Sequence, residues 1–171
     1  MKGYVQVLTG DGKGKTTAAL GLALRAAGAG LRVFIAQFAK KGEYSELKSL
    51  KRFEDIITIK QYGRTGFIVN DITKEDINCA LRGLKEVGEN ITSGKYQLVI
   101  LDEANIATYF KLFSAQKLLE IINSRPEHVE IVITGRNADP LIIENADLVT
   151  EMREIKHYFE KGVRSRKGIE E

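Results

Sequence analysis

Cysteine occurs once in the 171 residues, at Cys79, and tryptophan does not occur at all. A single thiol excludes an internal disulfide and any cysteine-rich zinc site. Long apolar runs are also missing. None approaches the ~20 residues that a membrane-spanning helix needs, so no membrane partner is expected. Met1-Lys2-Gly3 leads straight into a β-like segment, so no signal peptide is expected and the chain reads as cytoplasmic. Charge of one sign is scarce too: 26 Lys and Arg face 23 Asp and Glu, a net +3. That balance suits anionic small molecules and is too weak to argue for nucleic acid unless the charge is clustered. We find no repeat, low-complexity tract or linker. What is present, 43% apolar residues over this length, fits one globular domain spanning 1–171, able to bury roughly 70% of its unfolded surface.

Short β-branched runs alternate with helical patterns. Tyr4 to Leu8, Arg32 to Phe38, Ile56 to Lys60, Leu98 to Leu101, Glu130 to Thr134 and Leu148 to Glu151 read as strands. Thr16 to Ala27 reads as a helix, with Gly28 and Gly30 suited to its C-cap. Thr73 to Ile91 starts on an N-cap threonine with an acid three residues on, and Ser114 to Asn123 stops before Arg125-Pro126. Alternation of this kind predicts an α/β fold, a mostly parallel sheet with helices on both faces, with ligands at the C-terminal ends of the strands. From about Lys156, a basic tail carries Lys161, Arg164, Arg166 and Lys167 against one internal acid, Glu160, and is the segment most expected to be disordered.

Between the first strand and the first helix runs Thr9-Gly10-Asp11-Gly12-Lys13-Gly14-Lys15-Thr16-Thr17. A glycine-rich turn here leaves backbone N–H groups directed at the positive end of a helix dipole, an anion cradle. Lys15 would reach phosphate oxygens as a point charge, and Thr16 would offer a hydroxyl to a phosphate-bound Mg²⁺. The match to G-x-x-x-x-G-K-[ST] is incomplete, with Thr9 where the first glycine belongs. Gly10 and Gly12 are the candidates to supply the flexibility, and Asp11 adds a negative charge that Lys13 offsets formally.

Leu98 to Glu103 is a buried-strand run ending in two acids, as in a Walker B element. A carboxylate there binds Mg²⁺ directly or through water, and its neighbour orients a ligand or activates water; the same acids would also suit a helix N-terminus. Thr134-Gly135-Arg136 follows another apolar strand at the same edge, so Arg136 is read either as a ligand of phosphate or ribose oxygens or as a surface arginine. Cys79 reads as a small core residue, His128 as surface, and His157 lacks a sequence neighbour that would make it a metal ligand. Tyr62 to Phe67 contains two glycines and places Phe67 either as an exposed loop aromatic or folded into the core.

The ordered set of segments resembles the P-loop ATP:corrinoid adenosyltransferases. It comprises Thr9 to Ala19, including the threonine that breaks the usual P-loop rule, then Gln37-Phe38, Leu101-Asp102-Glu103, Asn123 to Pro126, Thr134-Gly135-Arg136, Ala146 to Val149, and the ending from Lys156-His157 to Gly168-Ile169-Glu170. The resemblance covers most of the chain and implies a P-loop NTPase-like, RecA-like fold. It also implies ATP as co-substrate, Mg²⁺ or Mn²⁺, a reduced corrinoid as acceptor, a flavoprotein reductant and a homodimer. Gly63 to Phe67 matches the loop whose aromatics, in the family, press on the lower face of the corrin ring. Three departures stand out. Val69 occupies the position where the family often has tryptophan, the first strand begins almost at Met1 where some members carry a capping extension, and Glu43 to Ile59 matches thinly. In the implied chemistry cobalt(I) attacks the ribose C5′ and the triphosphate leaves, so the parts needed are positioning and charge stabilisation. The same fold would also serve a P-loop kinase or ATP hydrolase, which cuts between phosphates.

Overall fold

The computed structural model describes residues 2–64, 66–67 and 72–170. Eight strands and six α-helices follow in the order β1 (Val5–Thr9), α1 (Lys15–Gly28), β2 (Val33–Phe38), β3 (Lys40–Lys41), α2 (Ser45–Leu50), β4 (Ile57–Tyr62), β5 (Gly66–Phe67), α3 (Lys74–Thr92), β6 (Leu98–Asp102), α4 (Ala104–Tyr109), α5 (Ala115–Asn123), β7 (Glu130–Thr134), α6 (Pro140–Glu144) and β8 (Leu148–Glu151). Six strands form one sheet in the order β4-β2-β6-β7-β1-β8, every pairing parallel. β3 and β5 form a separate antiparallel pair.

The apolar strands alternate between two cores. In β2, Val33 and Ile35 pack with Ala19, Leu20 and Ala23 of α1, whereas Phe34, Ala36 and Phe38 pack with Leu84, Val87 and Ile91 of α3 and Leu118 and Ile122 of α5. Successive side chains of a strand point to opposite faces, so a continuously apolar run is what a sheet covered on both sides requires. The small residues on α1 let that helix lie close to the sheet, directly behind the turn after β1.

Local chemistry sets the boundaries of the long helices. Thr73 accepts a hydrogen bond from the Asp76 amide, and the Asp76 side chain accepts one from Thr73 N, a reciprocal capping box. Ser114 caps α5 by accepting from Lys117 N. At the end of α1 the left-handed residue is Gly30, at φ 78°, while Gly28 remains helical. Cys79 packs at the edge of the larger core, as a small core residue would.

The tail departs from expectation. Far from being disordered, Tyr158–Lys161 forms a 3₁₀ turn, and Ile169 and Glu170 return to the turn after β1.

Candidate nucleotide site

The turn after β1 explains the glycine that the P-loop pattern lacks. Thr9 is still in the strand, paired with Glu151 of β8, and the chain first needs a positive φ one residue later, at Gly10 (φ 92°). A Cβ at Gly10 would come within 2.5 Å of the Met152 carbonyl oxygen. The strand-following segment at Met152 crosses against the loop, and Gly12 N donates to Met152 O at 2.7 Å. Gly14, at φ 113°, is the N-cap of α1. The first intrahelical bond runs from Ala18 N to Gly14 O, so the amides of Lys15, Thr16 and Thr17 precede it and carry the helix's positive end.

Lys15 is buried, and its ammonium donates to Gly10 O and Gly12 O, both at 2.7 Å. Burial, with the nearby Arg136 charge, pushes it below the ordinary lysine value, against the pull of Glu103, Asp11 and Glu154. Lys13 behaves differently. Its ammonium donates to Tyr158 Oη (3.2 Å), Ile169 O (3.0 Å) and Glu170 Oε1 (2.9 Å). Its charge is therefore taken up by the tail, and the partner of Asp11 is Arg136, whose Nε lies 3.9 Å from Asp11 Oδ1 and whose Nη2 donates to the Asp11 backbone carbonyl at 3.1 Å. The sequence-based offset of Asp11 by Lys13 is corrected accordingly.

At the C-terminal edge of the sheet the apolar strands give way to a polar rung. Gln61, Gln37 and Asp102 are register partners across β4, β2 and β6. Asp102 is fully buried. Its Oδ1 accepts from Thr16 Oγ1 (2.8 Å) and Thr134 Oγ1 (2.7 Å), and its Oδ2 accepts from Gln37 Nε2 (3.1 Å) and Lys40 Nζ (2.7 Å). Gln61 Nε2 donates to Gln37 Oε1 at 3.0 Å, which fixes the Gln37 amide. Lys40 keeps its proton. Burial works against the charge, but the Asp102 carboxylate outweighs it, and the lysine sits above its ordinary value.

Glu103 follows β6 and caps the start of α4 in the left-handed region, at φ 58°. Its amide donates to Thr134 Oγ1 at 3.0 Å, which anchors that uncommon conformation. Burial and the Asp102 charge raise the Glu103 carboxyl above the usual carboxylate value, against Lys40, Lys15 and Arg136. Gly135, at φ 130°, turns the chain after β7, and Asn105 Nδ2 donates to its carbonyl oxygen at 3.1 Å. That turn brings Arg136 to the mouth of the loop, mostly exposed.

These groups open on a cleft of about 490 Å³ lined by residues 11–17 together with Glu103, Arg136, His157, Ile169 and Glu170. A second cleft adjoins it through Thr16, Thr17 and Glu103 and extends over Leu24, Lys40 and Tyr44. The structure thus gathers Gly10 to Thr17, Asp102, Glu103 and Arg136 at one sheet edge. Of Phe67, the backbone pairs with Lys40, and its side chain lies outside the described residues, as does Val69. His157 accepts from Phe159 N through Nδ1, and His128 faces Gly94 O at an exposed position. Sequence reasoning missed Lys40 and the tail's Tyr158 and Glu170. The signal for Lys40 was its place two residues beyond a largely apolar strand, at the edge where Asp102 ends its own.

A parallel sheet, a glycine-rich turn into a helix and an acid-ended neighbouring strand define an α/β domain consistent with the P-loop NTPase-like class. Residues 1–170 match the family model described as ATP:corrinoid adenosyltransferase BtuR/CobO/CobP, and the chain belongs to that family. It is 34% identical over 170 residues to a corrinoid adenosyltransferase of Pseudomonas aeruginosa, covering 99% of this chain and 84% of that one. It is 32% identical over 170 residues to the corrinoid adenosyltransferase of Escherichia coli K12 and to corrinoid adenosyltransferase CobA of Salmonella typhimurium, each covering 99% of this chain and 86% of the relative.

Proposed function

We propose that the chain transfers the 5′-deoxyadenosyl group of ATP to the cobalt(I) of a reduced corrinoid in cobalamin biosynthesis or salvage, releasing triphosphate. The observation that carries this is the family match over residues 1–170 in a chain whose cradle, Lys15 and Thr16 line one cleft, with Asp102 buried behind Thr16. The cobalt(I) electron pair forms the Co–C5′ bond as the C5′–O bond breaks, and the triphosphate takes the departing pair. No side chain need act as nucleophile or base. In this reading Lys15, with the amides at the start of α1, holds the leaving group, and Gly10, Gly12 and Gly14 let the backbone approach it. Thr9 and Asp11 shape the loop's rim, with Lys13 and Thr17 at its mouth and Arg136 toward phosphate or ribose oxygens.

A Mg²⁺ or Mn²⁺ ion belongs to the same proposal. The donors are hard oxygens: the Thr16 hydroxyl and the Glu103 carboxylate, with Asp102 behind Thr16. An ion of this kind is commonly held by one or two carboxylates together with substrate phosphates and water. Such an ion supplies neutralisation of triphosphate charge. Phe67 is proposed to fill the space below the corrin ring, favouring cobalt without a lower axial ligand, with a flavoprotein supplying the electron. A cytoplasmic homodimer completes the reading, testable by fractionation and sedimentation velocity; no described helix is long and apolar enough to cross a membrane.

The test supplies ATP, Mg²⁺ and a chemically reduced corrinoid. The expected products are a light-sensitive alkylcobalt species and triphosphate in equal amounts. ADP as the main product would mean a kinase or hydrolase instead and would overturn the assignment.

A further inference from the structure

Lys40 is a buried charge for which the proposed chemistry has no use. Its side chain is 6% exposed and its ammonium lies 2.7 Å from Asp102 Oδ2. Three local features deliver it there. Ala39, a non-glycine residue at φ 57°, turns the chain as it leaves β2. A Cβ at Gly63 would come within 2.6 Å of Lys40 N, so only glycine lets the two backbones lie together. The Lys40 backbone is paired with Phe67. The ammonium also sits 5.5 Å from the centroid of the Tyr44 ring, an added attraction for a cation.

A carboxylate has about four lone-pair sites, and on Asp102 they are matched by four donors: Thr16, Thr134, Gln37 and Lys40. Three of those donors are neutral, so among the described residues Lys40 is the one cation in direct contact with this buried anion. Without it, the carboxylate would carry uncompensated charge next to Thr16, where the proposed metal–nucleotide complex sits. Breaking a buried ion pair leaves an uncompensated charge, which the proposed divalent ion beside Thr16 would neutralise.

We infer that Lys40 is a positioning residue for the nucleotide site: by holding Asp102 Oδ2 it keeps the carboxylate turned to Thr16 and Thr134 and outside the metal's own coordination shell. The ion is then oriented through the Thr16 hydroxyl, and Asp102 fixes that hydroxyl without ligating. This rests on the reading that a divalent ion and ATP bind at Thr16. It differs from a purely structural ion pair in what it requires of the metal's bound water.

The experiment uses Mn²⁺ and ATP without corrinoid, with affinity read by electron paramagnetic resonance and the number of Mn²⁺-bound waters by water-proton relaxation. Lys40→Met is expected to bind Mn²⁺ at least tenfold more tightly and to lose one bound water, because Asp102 replaces it. Asp102→Asn is expected to keep the wild-type water count. A folded Lys40→Met with wild-type affinity and water count overturns the inference, as does Asp102→Asn gaining a water. If Lys40→Met does not fold, the charge-neutral double variant Lys40→Met/Asp102→Asn decides: the wild-type count supports the inference and an extra water overturns it. Wild-type protein that binds no Mn²⁺–ATP overturns the functional reading together with this one, whereas a contrary water count in a protein that binds it overturns this one alone.

Discussion

Replacing Lys15 with alanine tests the cradle at its most charged point. In the free protein the ammonium is satisfied by two carbonyl oxygens at 2.7 Å, and among the described residues no carboxylate forms an ion pair with it. Its charge is thus held in reserve, and burial already pushes its pKa down. A polyphosphate oxygen arriving in place of those carbonyls meets a full positive charge. At a separation of about 4 Å and an effective dielectric constant of about 20, one pair of unit charges is worth about 4 kcal/mol. Losses from deleting single electrostatic catalytic groups fall at about 3–4 kcal/mol. At about 1.36 kcal/mol per factor of ten, Lys15→Ala should lower kcat/KM roughly a thousandfold. Lys13→Ala should cost about tenfold or less, because its ammonium is half exposed and engaged by the tail, and exposed ion pairs contribute little. The assay follows triphosphate release with pre-reduced corrinoid at matched protein stability, checked by circular dichroism melts. Equal losses in the two variants, or a Lys15→Ala rate within tenfold of wild type, would refute the assignment of the leaving-group charge to Lys15.

Glu103→Gln should raise the Mg²⁺ concentration needed for half-maximal rate; an unchanged value would return Glu103 to the role of a helix-start acid. The same variant should be more stable than wild type at pH 7. The raised folded-state pKa of Glu103 means its contribution is fully present below its ordinary 4.5 and lost as pH rises through the folded value, so the melting difference should vanish toward pH 4, and a wild-type advantage at pH 7 would contradict it. Glu170→Ala should release the tail and speed trypsin cleavage at Arg164, Arg166 and Lys167. Arg166, then Tyr158 and Lys13, hold the Glu170 carboxyl far below the usual carboxylate range, so wild-type protection should be present above pH 4.5 and fade only as pH falls well below it; no change in cleavage would refute the latch. Phe67→Ala should damage the reaction started from cobalt(II) with a mild flavin reductant far more than the one started from cobalt(I), and equal fractional losses would remove its proposed place below the ring.

The elements that carry this site were legible where the signal was local. Six β-branched runs became the six strands of the main sheet, shifted by one or two residues at most; the five besides β8 alternate their side chains between two apolar cores, whereas β8 is an exposed edge strand. Thr73 and Ser114 marked helix starts because a capping side chain sits within three residues of the amide it accepts from. The helices α2, α4 and α6 are five or six residues long, too short for an amphipathic period to show. The two-residue strands β3 and β5 are shorter still and owe their pairing to each other. Asp102 was visible as an acid ending an apolar strand, but its four donors come from residues 16, 37, 40 and 134, a convergence only the sheet order creates.

The tail fails for a related reason and shows what a charge count misses. Scored as a run, residues 156–167 carry five cations against Glu160, the pattern of a solvated segment. The acid that matters lies beyond the run, at Glu170, and it gathers Arg166, Tyr158 and Lys13 at once. Arg166 also stacks its guanidinium 5.0 Å from the centroid of the Tyr158 ring. Each of these pairs is weak alone. Joined through one carboxylate, they fold the end of the chain onto the loop that starts α1, so that Ile169 and Glu170 line the cleft. Lys13, a lysine within the glycine-rich turn that composition would assign to phosphate, is thereby engaged by an acid before any nucleotide arrives, whereas the Lys15 ammonium is held by two backbone carbonyls. The different surroundings of two lysines two positions apart thus trace to a glutamate more than 150 residues away.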